Sequence, residues 1–153
     1  MTIKHLPSYI MFLPPELRKN AMEGFNYTAH SLALAAGGTA VVTVSIQNSS
    51  DFLWVDITGV ARDPANVETV FPNPAVTLQV QDSGSSDLVF QQAVDWGNVV
   101  GTAQLPGEFA YPYLAEMGGQ LTVTYTNLGA QAYDLRVALR GFKVFPFGPD
   151  INR

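Results

Sequence analysis

The chain has 153 residues, of which 47% are hydrophobic and 14% charged, and its formal net charge is -5. This length fits one domain with a substantial core, and the acidic balance argues against nucleic-acid binding, which needs clustered Lys and Arg. The absence of cysteine excludes disulfides and thiolate metal sites. No apolar stretch is long enough for a membrane span.

Residues 1–24 are predicted to form an extended N-terminal arm. Three prolines between positions 7 and 15 break any regular period in this segment. The apolar run "YIMFL" is shorter than the core of a secretory signal and is bounded by prolines. Exposed apolar segments generally mark interaction sites. We therefore expect five side chains of the arm to contact another chain, namely Tyr9, Ile10, Met11, Phe12 and Leu13.

From residue 25 onward the sequence predicts strands separated by turns. Two strands, 25–34 and 39–47, flank "AAGGTA", which predicts a hairpin. The run "FLWVDITGVA" has bulky side chains on both faces and predicts a central strand. The proline-rich "RDPANVETVFPNP" predicts a loop. A strand at 76–82 follows, then a turn, and then a short strand "LVFQQ".

The second half of the chain predicts a long crossing segment and a final hairpin. Residues 93–119 show no clear period, which is typical of a connection between two sheets. The runs "GGQLTVTYTN" and "AYDLRVALRGFKVF" predict two strands paired across "NLGAQ". The sequence therefore predicts an all-β, antiparallel β-sandwich at residues 25–144, jelly-roll-like, with extended N- and C-terminal arms at 1–24 and 145–153. An immunoglobulin-like sandwich is the competing architecture.

Three cations lie on the last predicted strand. Strand periodicity places Arg136 and Arg140 on the outer face and Lys143 on the opposite one. Two hypotheses follow for the arginines. They pair with acidic residues of neighbouring strands, where exposed ion pairs contribute little, or they face an acidic patch on another subunit.

The sequence contains no recognisable catalytic motif. Its two histidines, His5 and His30, are far apart, and no nucleophile elbow, zinc-binding helix or phosphate loop is present. We therefore expect no enzymatic activity, no cofactor and no metal. The aromatic residues allow an alternative, a sugar-stacking platform of a glycan- or receptor-binding module. Its candidate members are Trp54, Trp96, Phe109, Tyr111 and Tyr113.

The order of the segments "SSDFLWVDITG", "LQVQDSGSSDLVF" and "GGQLTVTYTN", followed by the closing "LRGFK" strand, resembles small structural proteins encoded in the head-gene region of tailed bacteriophages. The resemblance covers roughly residues 25–145. It implies a jelly-roll capsid cement or decoration protein, or a minor component near the neck, and it carries no catalytic residue.

The resemblance and the apolar ends together predict a virion protein on the capsid surface. It would bind the major capsid protein and itself, as a trimer or dimer, and would bind neither nucleic acid nor a membrane. A glycan- or receptor-binding module and a neck or tail-completion protein are the alternatives. Besides the five arm residues, the expected partner-binding residues are Arg136, Arg140, Phe145 and Phe147.

Overall fold

A computed structural model describes residues 21–83, 88–90 and 92–145. Those residues form nine strands and one short helix, which we number in chain order. The strands are β1 (Ala21–Leu34), β2 (Thr39–Ser45), β3 (Asp51–Asp63), β4 (Asn66–Phe71), β5 (Val76–Asp82), β6 (Val94–Asp95), β7 (Gly107–Ala115), β8 (Gln120–Asn127) and β9 (Tyr133–Val144), and the helix is α1 (Trp96–Val99).

The strands form two antiparallel sheets. Sheet A has the order β1-β9-β3, and β7 and β4 share the far edge of β3, with β7 along Phe52–Ile57 and β4 along Ala61–Asp63. Sheet B has the order β2-β8-β5-β6. Without β4, the other eight strands form two four-stranded sheets, β1-β9-β3-β7 and β2-β8-β5-β6, which is the arrangement of a jelly roll. The predicted all-β antiparallel sandwich is therefore confirmed.

The core lies between the two sheets, where the inward residues of alternating strands meet. In β8 and β9 every second side chain is buried, and Leu121, Val123, Leu135 and Val137 are fully enclosed. The Tyr125 hydroxyl crosses the core and donates a 2.6 Å hydrogen bond to the Ala29 carbonyl. Such buried polar contacts fix how the two sheets align.

Both predicted hairpins are wrong, because the strands that they join lie in opposite sheets. β1 pairs with β9 and β2 with β8, so the "AAGGTA" turn crosses from sheet A to sheet B. The "NLGAQ" turn crosses back between β8 and β9. The buried Asn127 amide stabilises this crossing by donating to the Leu34 and Gln131 carbonyls, at 3.0 and 2.7 Å. Short turns do not distinguish pairing within a sheet from crossing between sheets.

Three further segment predictions need correction. The "RDPANVETVFPNP" segment contains β4, because its prolines flank Asn66–Phe71 and do not interrupt it. Residues 93–119 hold β6, α1 and β7 instead of an irregular connection. In "LVFQQ" the described residues form one isolated bridge, between Gln81 and Leu88, and no strand.

β1 begins at Ala21, four residues earlier than the sequence predicts. Ala21 pairs with Val144, and Glu23 pairs with Lys143. The first and last strands therefore start and end side by side at one end of sheet A. Residues 1–20 and 146–153, which hold most of both predicted arms, lie outside the described residues.

Candidate interaction surfaces

The outer face of sheet A carries both arginines of the last strand, as the periodicity predicts. Arg140 lies opposite Asp56 of β3 and contacts both of its carboxylate oxygens, with Nε–Oδ1 at 2.8 Å and Nη2–Oδ2 at 3.0 Å. A β-bulge between Trp54 and Asp56 turns the Asp56 side chain toward this face. For Arg140, pairing with a neighbouring strand is therefore the correct hypothesis.

The Asp56 carboxyl is buried, and it has one basic and one acidic neighbour, which shift its pKa in opposite directions. Burial raises its pKa above the ordinary value of 3.8, because a charged carboxylate loses hydration there. The Arg140 guanidinium opposes this effect, while the nearby Glu108, opposite Asp56 on β7, adds to it. Arg140 pairs with Asp56, and the exposed Glu108 beside them adds a further negative charge to this part of the surface.

Arg136 differs from Arg140 because no acidic side chain lies within ion-pair distance of it among residues 21–83, 88–90 and 92–145. It is exposed and lies directly opposite His30 of β1 and Val60 of β3. The sequence places Arg136 on the correct face. It gives no sign that the neighbouring side chain is a histidine on a strand that begins more than a hundred residues earlier.

Arg136 and His30 border an open groove of about 470 Å³ on this face. The groove lies beside Thr58–Val60, the part of β3 that neither β4 nor β7 covers. Among the described residues, its walls are mainly apolar and include no carboxylate. Besides Arg136 and His30, the described lining comprises Thr58, Gly59, Val60, Val70, Phe71, Pro72, Trp96, Thr102, Ala103, Val137 and Ala138.

A second apolar cluster lies on the same outer face, at the end where β1 starts and β9 ends. It consists of Leu53, Val55 and Val144, with Phe142 packed against them. Leu53 lies opposite Phe142, and both point away from the main core because their neighbours Trp54 and Gly141 face inward. We call this group the outer cluster.

The first and last described residues, Ala21 and Phe145, lie beside the outer cluster. Phe145 follows directly on β9 and is half-buried. The other predicted anchors, residues 9–13 and Phe147, lie outside the described residues. Lys143 is on the inward side, as the periodicity predicts, and its Nζ lies 4.1 Å from the centre of the Phe25 ring. A cation over an aromatic face is stabilised by the ring quadrupole.

The proposed sugar-stacking aromatics do not form one exposed platform. Trp54 and Trp96 are buried, and Phe109 packs edge-to-face on Trp54 with ring centres 4.7 Å apart. The Tyr113 hydroxyl donates to Asp82 at 2.7 Å. Tyr111 is the exception, since 88% of it is exposed, more than any other large hydrophobic residue in the described part of the chain.

No group of three or more His, Cys, Asp or Glu side chains is placed to hold a metal ion within the described residues. In the same ranges, no helix is long and apolar enough to cross a membrane.

No family model and no curated protein matches the chain. Among solved structures, the chain is similar to one titled "Structure of infectious bursal disease virus Gt strain", at 12% identity and a TM-score of 0.20 over 83% of this chain. The chain spans 41% of that chain's length. At this TM-score the likeness does not establish a shared fold, and nothing about function follows from it.

Proposed function

We propose that the chain is a non-enzymatic structural protein of a tailed-bacteriophage virion. It decorates the capsid surface as a cement protein, binds the major capsid protein and associates with itself. The observation that carries this proposal is the pairing of Ala21 with Val144. That pairing brings the two points at which residues 1–20 and 146–153 join the domain to one end of sheet A, beside the outer cluster.

This arrangement suits a protein that is anchored by its ends. Two segments that leave the domain at one end can both dock on one partner surface. Once the first segment has docked, the second is held close to its own site, which raises its effective concentration there. The prolines in the N-terminal segment reduce the conformational freedom that docking removes. The jelly-roll topology is compatible with this role, although a fold alone does not define a function.

Cementing requires that many copies add buried area across the joints between capsomers. A standard interface of ~1,600 Å² at ~25 cal/mol per Å² supplies a large gross stabilisation before the costs of association. Repetition over the shell multiplies the net gain. A low-charge surface favours such contacts, because fewer charged groups lose hydration when the interface forms.

The copy number per particle tests the role. Quantitative gel densitometry on virions of the encoding phage should show hundreds of copies if the chain is a cement protein. About a dozen or fewer copies would match a cyclic neck or tail ring instead. Absence of the chain from purified virions would contradict a virion role altogether.

Anchoring by the ends is tested with full-length variants. Replacing Ile10 and Phe12 together by Asp should abolish binding to capsids that lack the protein, and the melting temperature should stay within a few degrees of the wild type. The matched control is Val41→Asp on β2, which charges an exposed apolar position of sheet B and should leave capsid binding unchanged.

Truncation separates anchoring from folding. A chain that begins at Ala21 keeps all of β1, whereas one that begins at Gly24 would lose the pairs with Val144 and Lys143. If the N-terminal segment is an intermolecular anchor, the chain starting at Ala21 should melt near the full-length temperature and fail to bind capsids. A melting temperature many degrees lower would show that the segment belongs to the core of its own domain.

A further inference from the structure

Two surfaces of the described domain carry side chains of opposite charge. One is the groove bordered by Arg136 and His30, whose described lining is mainly apolar and contains no carboxylate. The other is the part of β7 that carries Glu108 and Tyr111, both exposed, which we call the β7 surface. In the described ranges, Arg136 of the groove has no acidic side chain within ion-pair distance, and Glu108 of the β7 surface lies near a second carboxylate, Asp56.

The groove is large enough for an aromatic side chain. Its volume of about 470 Å³ lies within the ~300–1,000 Å³ range of binding pockets. Phe71, Pro72 and Trp96 supply an apolar surface of the kind on which tyrosine packs, and Thr58 and Thr102 can bond to its hydroxyl. Tyrosine is also among the residues that contribute most to binding energy at protein interfaces.

A single chain cannot bring these two surfaces together. β7 runs antiparallel to β3, with Gly107 opposite Ile57 and Tyr113 opposite Trp54. Tyr111 therefore lies toward the Trp54 end of β3, whereas the groove lies at Thr58–Val60, in the other direction. Tyr111 can fill a groove only on another molecule.

We propose that Tyr111 of one copy of this chain occupies the groove of a second copy, where Glu108 of the first pairs with Arg136 of the second. This contact rests on the self-association that the proposed function includes. It removes the exposed tyrosine from water and gives Arg136 its acidic partner. It also relieves the repulsion between Glu108 and Asp56. Because the two surfaces lie at different places on the molecule, successive contacts can close into a ring such as a trimer.

Analytical ultracentrifugation of the full-length protein across a concentration series tests the contact. Wild-type protein should form an oligomer. Tyr111→Ser and Arg136→Glu should each raise the dissociation constant at least about thirtyfold, as loss of a central interface residue does. Tyr111 and Arg136 are exposed, so neither change should unfold the domain, which far-ultraviolet circular dichroism checks. Val41→Ser, an exposed apolar change on sheet B, is the matched control and should have no effect.

Mixing the two defective variants gives the sharper result. Tyr111→Ser retains an intact groove and Arg136→Glu retains an intact β7 surface, so an equimolar mixture should form one-to-one complexes although neither variant associates alone. A double variant, Glu108→Arg with Arg136→Glu, should recover association through the exchanged charges. A monomeric wild type, an oligomer unaffected by Tyr111→Ser, or a mixture that stays monomeric would each overturn the contact. Capsid binding, measured separately with the residue 10 and 12 variant, would test the proposed function regardless of these results.

Discussion

Arg140 and Asp56 lie directly opposite each other on β9 and β3, and the guanidinium contacts both oxygens of the carboxylate. This ion pair has a structural role, since it compensates a buried carboxylate within the domain. Arg136, four residues earlier on the same face, has no such partner in the described ranges. The two arginines that the periodicity treats as equivalent therefore have different roles.

Replacing Arg140 by Gln should destabilise the domain, because Asp56 keeps its burial and loses its counter-charge. We expect the free energy of unfolding to fall by about 1–3 kcal/mol at neutral pH, since a buried charge without a partner retains its desolvation cost. Chemical denaturation measures the change. The matched control, Arg136→Gln at a concentration where the chain is monomeric, should change stability by less than about 0.5 kcal/mol. Equal effects of the two substitutions would contradict the different roles.

The raised pKa of Asp56 predicts a pH dependence of stability with a definite sign. Between its ordinary pKa of 3.8 and the higher folded value, the folded state binds more protons than the unfolded state, so stability falls as pH rises through that window. Asp56→Asn removes this titration. The stability of the wild type relative to the variant should therefore be greatest at acid pH and should decline as the pH approaches neutrality.

Denaturation curves collected from pH 3 to pH 7 for both proteins measure that difference. The same comparison in a Glu108→Gln background provides the control. Glu108 contributes to the raised pKa of Asp56, so its removal should make the decline smaller. If the stability of the wild type relative to Asp56→Asn instead grew with pH, Arg140 would lower the pKa of Asp56 by more than burial raises it.

Tyr125→Phe should test the polar contact that crosses the core. The variant keeps the ring and leaves the buried Ala29 carbonyl without its donor, which should cost about 1–3 kcal/mol. Burial also raises the pKa of the Tyr125 hydroxyl, so its ionisation should reduce stability in strongly alkaline solution. Thermal unfolding of the variant beside Tyr111→Phe, an exposed position, checks the cost. Equal stability of the two variants would show that this hydrogen bond contributes nothing.

Gly141→Ala should disrupt the centre of sheet A. A Cβ at this position would collide with the Leu53 carbonyl of the neighbouring strand. Close approach of β3 to β9 next to the bulge therefore requires glycine there, and we expect a loss of more than about 3 kcal/mol. Gly24→Ala is the control on β1, since a Cβ there meets no atom within 4 Å. Urea denaturation of both variants would reveal an unexpected tolerance at position 141.

The sequence predicts the strands better than their connections. Alternation correctly assigns Leu135, Val137 and Leu139 to the core, because burial of one face repeats every second residue. The sheet to which a strand belongs depends on contacts between distant segments, and the turns do not encode it. The sequence also does not predict β7, because its aromatic residues and Pro112 obscure the strand pattern. In the structure this segment pairs with β3.

The sequence does not predict the groove either, because the residues that line it are far apart in the chain. Its lining comes from β1, β3, β4, β9, α1 and the segment after α1, so no local motif marks it. No sequence motif singles out His30, whereas the structure places it directly opposite Arg136. Residues 25–134 contain ten acidic side chains and one basic side chain, Arg62. This asymmetry indicates that the cations on the last strand face acidic groups, and it does not distinguish Asp56 within the chain from a carboxylate on a second copy.

The adjacency of Ala21 and Val144 also makes the domain suitable for circular permutation. Cα atoms of paired antiparallel residues are about 5 Å apart, so a short linker can join these positions. New termini can then be opened at the exposed tip of the β3-β4 hairpin, at residue 65. Such a permuted chain would keep the nine strands and carry neither end segment. It would present the outer face of sheet A without its anchors, and any association that remained would have to come from the folded domain itself.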